Sequence, residues 1–428
     1  MDPLTRVRFS PTIPLIKMKP ETAKGTRDLI PKEALFKDEI ISKLKKIFEL
    51  YGYSPLETPI LERYDTLSAK YAGGSEILKE TFKLKDQGKR ELGLRYDLTV
   101  PFARFVGMNP NIKLPFKRYQ IGPVFRDGPI KLGRFREFYQ CDADVVGTES
   151  IMAESELINL ASRFFKEINQ EITIKVNSIK ILKSIMNYLE IEKDKQGKVI
   201  LTIDKKDKIS EEELRKELKV IIKNKADKVL KIINKNDLSY LKKILKDNDG
   251  INEIEELLRL TKAQFDVSLA RGLSYYTGTI FEVYLRDSNV KSSVAAGGRY
   301  DNMIQNFLES NNKYPAVGIS FGIDVILESL KKPEKETTTE IYIIPINKQK
   351  ESFEIAEKLR GNRLKIDMDL IGRGISKNLD YANKLRIPYV IFIGEEELKK
   401  DKLKLRNMKT GEESLLSLND IIKRLKNV

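Results

Sequence analysis

Apolar residues recur at helical spacing from Lys32 to Tyr51, with Leu35, Phe36, Ile40, Ile41, Leu44, Ile47 and Phe48 on one side and Lys and Glu between them. That spacing predicts an amphipathic helix, stopped by Gly52. Tyr53 to Leu61 holds Pro55 and Pro59. Proline removes a ladder donor, so this segment is predicted as extended chain at an edge or an interface. Glu91 to Pro101 predicts a strand running into a polar turn, where Asp97 and Thr99 either cap the next helix or bind a substrate. Phe116 to Arg126 and Arg134 to Gly147 predict two strands of an antiparallel hairpin, joined by a loop rich in Gly, Pro and Lys (Asp127 to Gly133). In a period of two, Arg134, Arg136, Phe138, Gln140, Asp142 and Asp144 share one face. That face is too polar for a core. It suits a nucleotide, because Arg takes phosphates bidentately and Phe138 offers a ring to a base.

Helical spacing returns over Thr148 to Gln170. From about 177 to 262 the chain is Lys-rich, helix-forming and poor in Gly and aromatics, which predicts a small inserted helical domain. Arg271 beside Gly272, then Tyr275, Tyr276 and Gly278, precede a buried strand from Thr279 to Val283. This is either a grip for a small polar anion or an ordinary hairpin carrying an exposed Arg. The small residues of Ser292 to Asp301 permit tight packing, and Ala316 to Ile326 predicts a glycine-punctuated strand entering a helix. Lys331 to Thr339 reads as a linker. Beyond it, strands (340–346, 366–370, 389–393, 403–407) alternate with helices (351–360, 376–385, 418–425), which predicts a separate α/β domain. Arg373, Lys377, Asn378 and Asn383 are polar groups it offers to a partner.

Composition narrows the chemistry. Lys plus Arg number 78 and Asp plus Glu 63, a net charge of +15 that suits a polyanionic partner such as nucleic acid. Cys141 is the single cysteine, which excludes an internal disulfide or a Cys-based zinc cluster. No apolar run approaches membrane-spanning length, and Met1 to Lys17 lacks the apolar core of a signal peptide, so a cytoplasmic address is expected and no membrane partner. The 428 residues contain no histidine. That excludes Ser-His and Cys-His nucleophiles, a His general base and every His-ligated metal, which leaves Arg, carboxylates, Tyr, backbone N–H groups and a hard metal ion to carry the chemistry; no residue is singled out as a metal ligand. Gly318-Ile-Ser320-Phe-Gly322 mimics a nucleophile elbow, but no His is present to activate Ser320.

Taken in order, the motifs resemble those of the histidyl-tRNA synthetases, class IIa aminoacyl-tRNA synthetases, from about Lys19 to the C-terminus. Arg271-Gly-Leu-Ser-Tyr-Tyr-Thr-Gly-Thr279 and Ala296-Gly-Gly-Arg-Tyr-Asp301 resemble the two signature motifs of that amino-acid specificity. Phe125-Arg126 with Gly133-Arg-Phe-Arg-Glu-Phe138 resembles class motif two. Gly52 to Leu61 resembles motif one and Gly318 to Val325 motif three. The resemblance implies an α+β fold: an antiparallel sheet core flanked by helices, with a helical insertion and a C-terminal α/β anticodon-binding domain. It places an N-terminal extension at 1–17, the catalytic domain at 18–330 with the insertion at 177–262, a linker at 331–339 and the anticodon domain at 340–428.

The same resemblance implies the site. Asp97, Leu98 and Thr99 lie at the α-amino end of substrate L-histidine, and Gln140 beside it. Arg126 bridges the substrate carboxylate and the ATP α-phosphate. Asp144, Tyr275 and Tyr276 read the imidazole, and Arg271 stabilises charge at phosphorus. Phe138 stacks on adenine, Arg134 and Arg136 hold phosphate or ribose, and Arg373 and Lys377 contact tRNA. ATP with Mg²⁺, tRNA(His) and a homodimer follow as cofactor and partners. In two places the pattern departs: Gly128 stands where the class carries a Glu for the adenine amino group, and Val325 where it carries an Arg for the γ-phosphate. A non-catalytic relative, either a regulatory subunit of histidine biosynthesis or a sensor of uncharged tRNA, is the alternative.

Overall fold

The computed structural model describes residues 19–68, 75–130, 133, 135–270, 275–308, 313–331 and 335–426. The predicted extension at 1–17 and two predicted site residues, Arg134 and Arg271, lie outside the described residues.

An eight-stranded sheet carries the site, in the order Ser54–Pro55, Phe116–Phe125, Glu137–Val146, Ala316–Gly322, Ala295–Arg299, Thr279–Leu285, Ile172–Ser178 and Gln264–Phe265. The inner pairings are antiparallel and the two outermost parallel. Ser54–Pro55 is the edge strand its prolines predict. The predicted hairpin forms in full register from Phe116 opposite Val146 to Phe125 opposite Glu137. Its second strand begins at Glu137 rather than Arg134. Upstream of it, the Arg136 amide donates to the Gly25 carbonyl (2.8 Å) and the Arg136 carbonyl accepts from the Arg126 amide (2.9 Å).

The predicted first helix spans Pro31–Leu50, with Pro31 in the first turn, where a missing N–H loses no bond. It buries Phe36, Ile40, Leu44, Ile47 and Phe48 and packs on the helix Met152–Glu167. Phe48 stacks on Tyr119 and meets Phe321 edge-on, so helix and sheet share one core.

The insertion differs from the expectation. Asn177 and Ser178 belong to the sheet strand Ile172–Ser178, and the helices run from Ile179 to Leu260. Caps mark their starts, including a reciprocal box in which Glu213 N–H donates to Ser210 Oγ (3.3 Å) and Ser210 N–H to Glu213 Oε2 (3.0 Å). The buried residues of these helices, Leu182 to Leu257, join those of the sheet in a single cluster. The helices therefore extend the core beneath the sheet and do not form one of their own.

The C-terminal part is the predicted α/β unit. Its five-stranded sheet runs Ile366–Met368, Ile341–Pro345, Tyr389–Ile393, Leu403–Asn407, Glu413–Leu416. The first three strands are parallel and the last two antiparallel. Glu413–Leu416 and the short helix Glu395–Lys399 were not predicted. Apolar clusters cover both faces. No helix among the described residues is long and apolar enough to cross a membrane.

Candidate functional site

The site is built on bare backbone. Where Ala295–Arg299 and Ala316–Gly322 run side by side, Gly298 faces Gly318. A Cβ on Gly318 would stand 1.9 Å from Asp144 Oδ1, and one on Gly298 would stand 2.9 Å from the Tyr276 ring. Glycine lets the carboxylate and the phenol lie flat across the strands. Above them opens a cavity of about 450 Å³. It brings together the predicted Asp97, Thr99, Arg126, Gln140, Asp144, Tyr275 and Tyr276. It also places there Glu80, Asp142, Tyr300 and Ser320, which the site prediction omitted.

Asp97 combines a structural bond with a place at the cavity. It accepts the Val100 amide at 3.0 Å, capping the helix Thr99–Met108, and it lines the cavity. Burial pushes its carboxyl up to about 6, against the pull of that amide and of Arg126. Arg126 donates Nε to the Tyr96 carbonyl (3.0 Å) and lies 5.1 Å from the Phe138 ring centroid. Tyr275 and Tyr276 tilt against each other at 4.6 Å between ring centroids.

The polar face predicted for residues 134 to 144 is neither solvated nor core, because its C-terminal half is the cavity floor. Asp144 is 2% exposed and pairs with Arg118 at 2.7 Å, while Tyr300 donates its hydroxyl to the same carboxylate. Burial still raises its carboxyl, although Arg118 opposes that. The predicted imidazole reader is thus held from behind by two groups. Asp142, two residues earlier on the same face, is buried too, and burial raises its carboxyl to about 7 against the pull of Arg118. Gln140 Nε2 donates to Ser320 Oγ (2.9 Å), and the Ser320 hydroxyl in turn bonds the Asp142 carboxylate. Ser320 therefore braces the floor, which is a different job from the nucleophile its motif mimics.

Other predicted residues are placed differently. Leu98 has a fully buried side chain and does not line the cavity; its carbonyl accepts from Arg118 Nη2 (3.1 Å). Arg136 pairs with Asp127 (3.0 Å), and its stem packs on Gly25. Neither Arg136 nor Phe138 is among the cavity-lining residues. The two departures from the family pattern have physical sequels. The Glu80 carboxylate lies 3.0 Å from where a Cβ on Gly128 would stand, and the Asp127 amide donates to the Glu80 carbonyl (2.7 Å). Acidic oxygen is thus supplied beside Gly128 from another part of the chain. Val325 packs on Gly133 (3.7 Å to its ideal Cβ), while Arg27 clamps the same helix through Asp324 (2.9 Å) and Glu328 (3.0 Å).

In the C-terminal unit, Lys377 and Asn383 are exposed and Arg373 is half-buried over the Tyr381 ring (4.6 Å). Asn378, expected to face a partner, is fully buried. It donates to Asp369 (3.0 Å) and to the Arg373 carbonyl (2.9 Å), and it accepts from Tyr342 (3.0 Å). It shapes the loop that displays Arg373.

A family profile described as histidyl-tRNA synthetase matches residues 25–326. The chain belongs to the histidyl-tRNA synthetase family. A second profile, described as an anticodon binding domain, matches residues 340–428. "Histidine--tRNA ligase 1" of Bacillus cereus (strain ATCC 10987 / NRS 248) is 45% identical over 421 residues, 94% of this chain and 97% of that protein. "Histidine--tRNA ligase" of Clostridium tetani is 36% identical over 440 residues, 96% of this chain and 99% of that protein. The crystal structure of histidyl-tRNA synthetase from Nostoc sp. PCC 7120 superposes with a TM-score of 0.84 at 25% identity, over 96% of this chain and 99% of that one. That superposition extends over the mostly antiparallel sheet and the C-terminal α/β unit alike. These matches lend no support to a regulatory relative without catalysis.

Proposed function

We infer that the cavity on the glycine strands is where this family member, a histidine–tRNA ligase, activates L-histidine with ATP before passing it to tRNA(His). The observation that carries the reading is the meeting of Asp97, Thr99, Gln140, Tyr275 and Tyr276 with Arg126 in one cavity, since they come from four separate stretches of the chain. Carboxylates suit the substrate ammonium. Phenols suit imidazole, because a hydroxyl both donates and accepts, as the two ring nitrogens require.

Arg126 stands between these groups and Phe138. From there it would hold the substrate carboxylate against the ATP α-phosphate, so that the reacting oxygen meets phosphorus without a search. The carboxylate oxygen attacks phosphorus, pyrophosphate departs with the electron pair of the broken P–O bond, and histidyl-adenylate remains. Charge building on the equatorial oxygens needs fixed cations, not a proton acceptor, so a chain without histidine can run this step. Arg126 is one such cation and Arg271 the second. Phe138 would stack on adenine, Arg136 and Arg134 would hold phosphate or ribose, and Glu80 would accept from the adenine amino group beside Gly128. Mg²⁺ would travel with the ATP phosphates, which screen poorly without it. No cluster of acidic or Cys residues suited to hold a metal alone occurs among the described residues, so the phosphates would supply much of its coordination.

In the second step the terminal 3′-hydroxyl of tRNA attacks the histidyl carbonyl and AMP leaves. A larger cleft of about 1040 Å³ adjoins the cavity through Ser293 and leaves room for the incoming end of the tRNA; its lysines, Lys175, Lys206, Lys208 and Lys291, are balanced by Asp204, Asp207, Asp266 and Glu282. Arg373 and Lys377 would contact the anticodon end. The edge around Gly52 to Leu61, with Ile60 and Leu61 exposed, is the proposed homodimer contact.

Histidine-dependent ATP–pyrophosphate exchange tests the reading. Exchange above background with histidine, and none with other amino acids, is expected; its absence at saturating histidine, ATP and Mg²⁺ would end it. Removing residues 340–428 should abolish tRNA charging and spare exchange.

A further inference from the structure

Among the described residues, the carboxylates around the cavity outnumber its cations. Glu80, Asp97, Asp142 and Asp144 line it, against Arg126 on the wall and Arg118 buried behind Asp144. These carboxylates are not equivalent. Asp144 accepts from Tyr300, and its other oxygen, Oδ2, lies 2.7 Å from Arg118 Nη2, an ion pair by distance without hydrogen-bond geometry. Asp142 bonds the Ser320 hydroxyl with one oxygen. Its other oxygen, Oδ1, has no hydrogen-bond donor among the described residues, although the residue is only 3% exposed. Gln140 shows the same deficit: Nε2 is committed to Ser320, and Oε1 is left buried without a donor. Unpaired buried acceptors are costly, the more so when one is charged. Two of them side by side on a cavity floor are acceptors awaiting donors.

We propose that Asp142 Oδ1 and Gln140 Oε1, together with the Asp97 carboxylate, take the three N–H donors of the substrate's α-ammonium, with Asp142 supplying the nearest uncommitted negative charge. A primary ammonium offers donors only and a full positive charge. A neutral imidazole offers one donor and one acceptor, so it cannot satisfy a set made of acceptors alone. The tyrosine end of the cavity suits the ring, and the Gln140–Asp142 end suits the ammonium. The assignment rests on the amino-acid activation reading above, and it makes Asp142 a binding residue that no motif singled out.

The surroundings of Asp142 give the assignment a protonic signature. Facing it are Arg118 from the Phe116–Phe125 strand, Asp144 from its own strand, Asp97 and Arg95 from the segment after Glu91–Leu94, Ser320 from the Ala316–Gly322 strand, and Tyr300. Burial and the neighbouring Asp144 keep its carboxyl near about 7, so at neutral pH it is partly protonated. An arriving ammonium favours the ionised form, and the proton leaves.

The test compares L-histidine with imidazolepropionate, which has the same ring and carboxylate but no ammonium, by calorimetric titration of the full chain and of Asp142→Asn. The variant should bind histidine about tenfold more weakly or worse, the scale of one charge-assisted hydrogen bond, and bind imidazolepropionate within about twofold of the wild type. In the wild type at pH 7, titrations in two buffers of different ionisation enthalpy should show more proton release with histidine than with imidazolepropionate. Unchanged histidine affinity in the variant would overturn the assignment and leave Asp142 bonded to a buried water shared with Arg118. Equal weakening of both ligands would overturn it in favour of a role in cavity shape. Should the variant fail to fold, equal proton release by the two ligands in the wild type would overturn it. Failure of the wild type to bind histidine or to support exchange would instead strike the activation reading, and the assignment would fall with it.

Discussion

Two arginines are buried in the same sheet, and their surroundings are opposites. Arg299 donates Nε and Nη2 to the two oxygens of Glu154 (2.6 and 2.7 Å) and Nη1 to the Thr148 carbonyl (2.9 Å) and Asp301 (3.1 Å). Every nitrogen of its guanidinium has an acceptor. Arg118 is buried more deeply, yet among the described residues only Nη2 finds acceptors, Asp144 (2.7 Å) and the Leu98 carbonyl (3.1 Å), while Nε and Nη1 find none. Asp142 beside it is equally short of donors. A saturated buried ion pair holds structure and asks nothing of a ligand. A buried charge cluster left incomplete keeps potential that a charged substrate can use.

The comparison can be broken in several ways. The largest effect is expected from Arg299→Ala, which strands Glu154 in the core: about 3–5 kcal/mol of stability should be lost, read as a lower urea midpoint with activity lost only as the fold goes. Arg126→Ala should do the reverse. Exchange should fall by about 10²–10³, as when one transition-state donor is removed, with the urea midpoint hardly moved. Next comes a pH test on the incomplete cluster. The carboxyl of Asp142 sits near about 7 in the folded chain, above the carboxylate range of an unfolded one. Between those values the folded state holds a proton the unfolded chain has lost, so stability falls as pH rises through the window and levels off above it. Asp97, held near about 6, adds to the same trend. Asp142→Asn should therefore raise the melting temperature of the ligand-free protein by a few degrees at pH 8, and the gain should vanish below about pH 4. A gain that does not depend on pH would mean the carboxylate is not strained. The smallest effect belongs to Asp369→Ala in the C-terminal unit. Asp369 accepts from the Ile371 amide (3.1 Å) and from Asn378 (3.0 Å), and its loss should loosen the loop carrying Arg373. The KM for tRNA should rise severalfold while exchange stays unchanged.

Much of this was legible in the sequence, for local reasons. Period and punctuation gave the first helix, the long hairpin and the alternating tail, because each states its own hydrophobic face. The motifs named seven residues that the structure brings to the cavity. What stayed hidden was set by distance along the chain. Arg118, Tyr300 and Asp144 meet only after the sheet assembles, and Glu80 reaches Gly128 from 48 positions upstream. Asp142 was seen on the right face but passed over, since nothing local shows that one carboxylate on a strand is satisfied and its neighbour is not. The strand Ile172–Ser178 was missed because Lys175 and Asn177 blur its alternation. Asn177 is at home there through its bonds to the Val267 (3.1 Å) and Leu269 (2.8 Å) carbonyls, which no local window contains. Leu98, expected at the substrate, has its side chain buried away from the cavity and offers its carbonyl to Arg118, a placement no local pattern reveals.

The polar interior of this protein is assembled without imidazole. Tyr53 bonds Glu156, Tyr300 bonds Asp144 and Arg299 bonds Glu154, at positions where a histidine would also serve as a buried hydrogen-bonding group. That economy reaches beyond the folded chain to the ribosome. A messenger with no histidine codon across these 428 residues never waits for the aminoacyl-tRNA that its product makes. When charged tRNA(His) runs out, most other chains stall, while translation of these 428 residues makes no demand on it. A translation mixture depleted of histidine should yield these 428 residues at the same rate as a complete one.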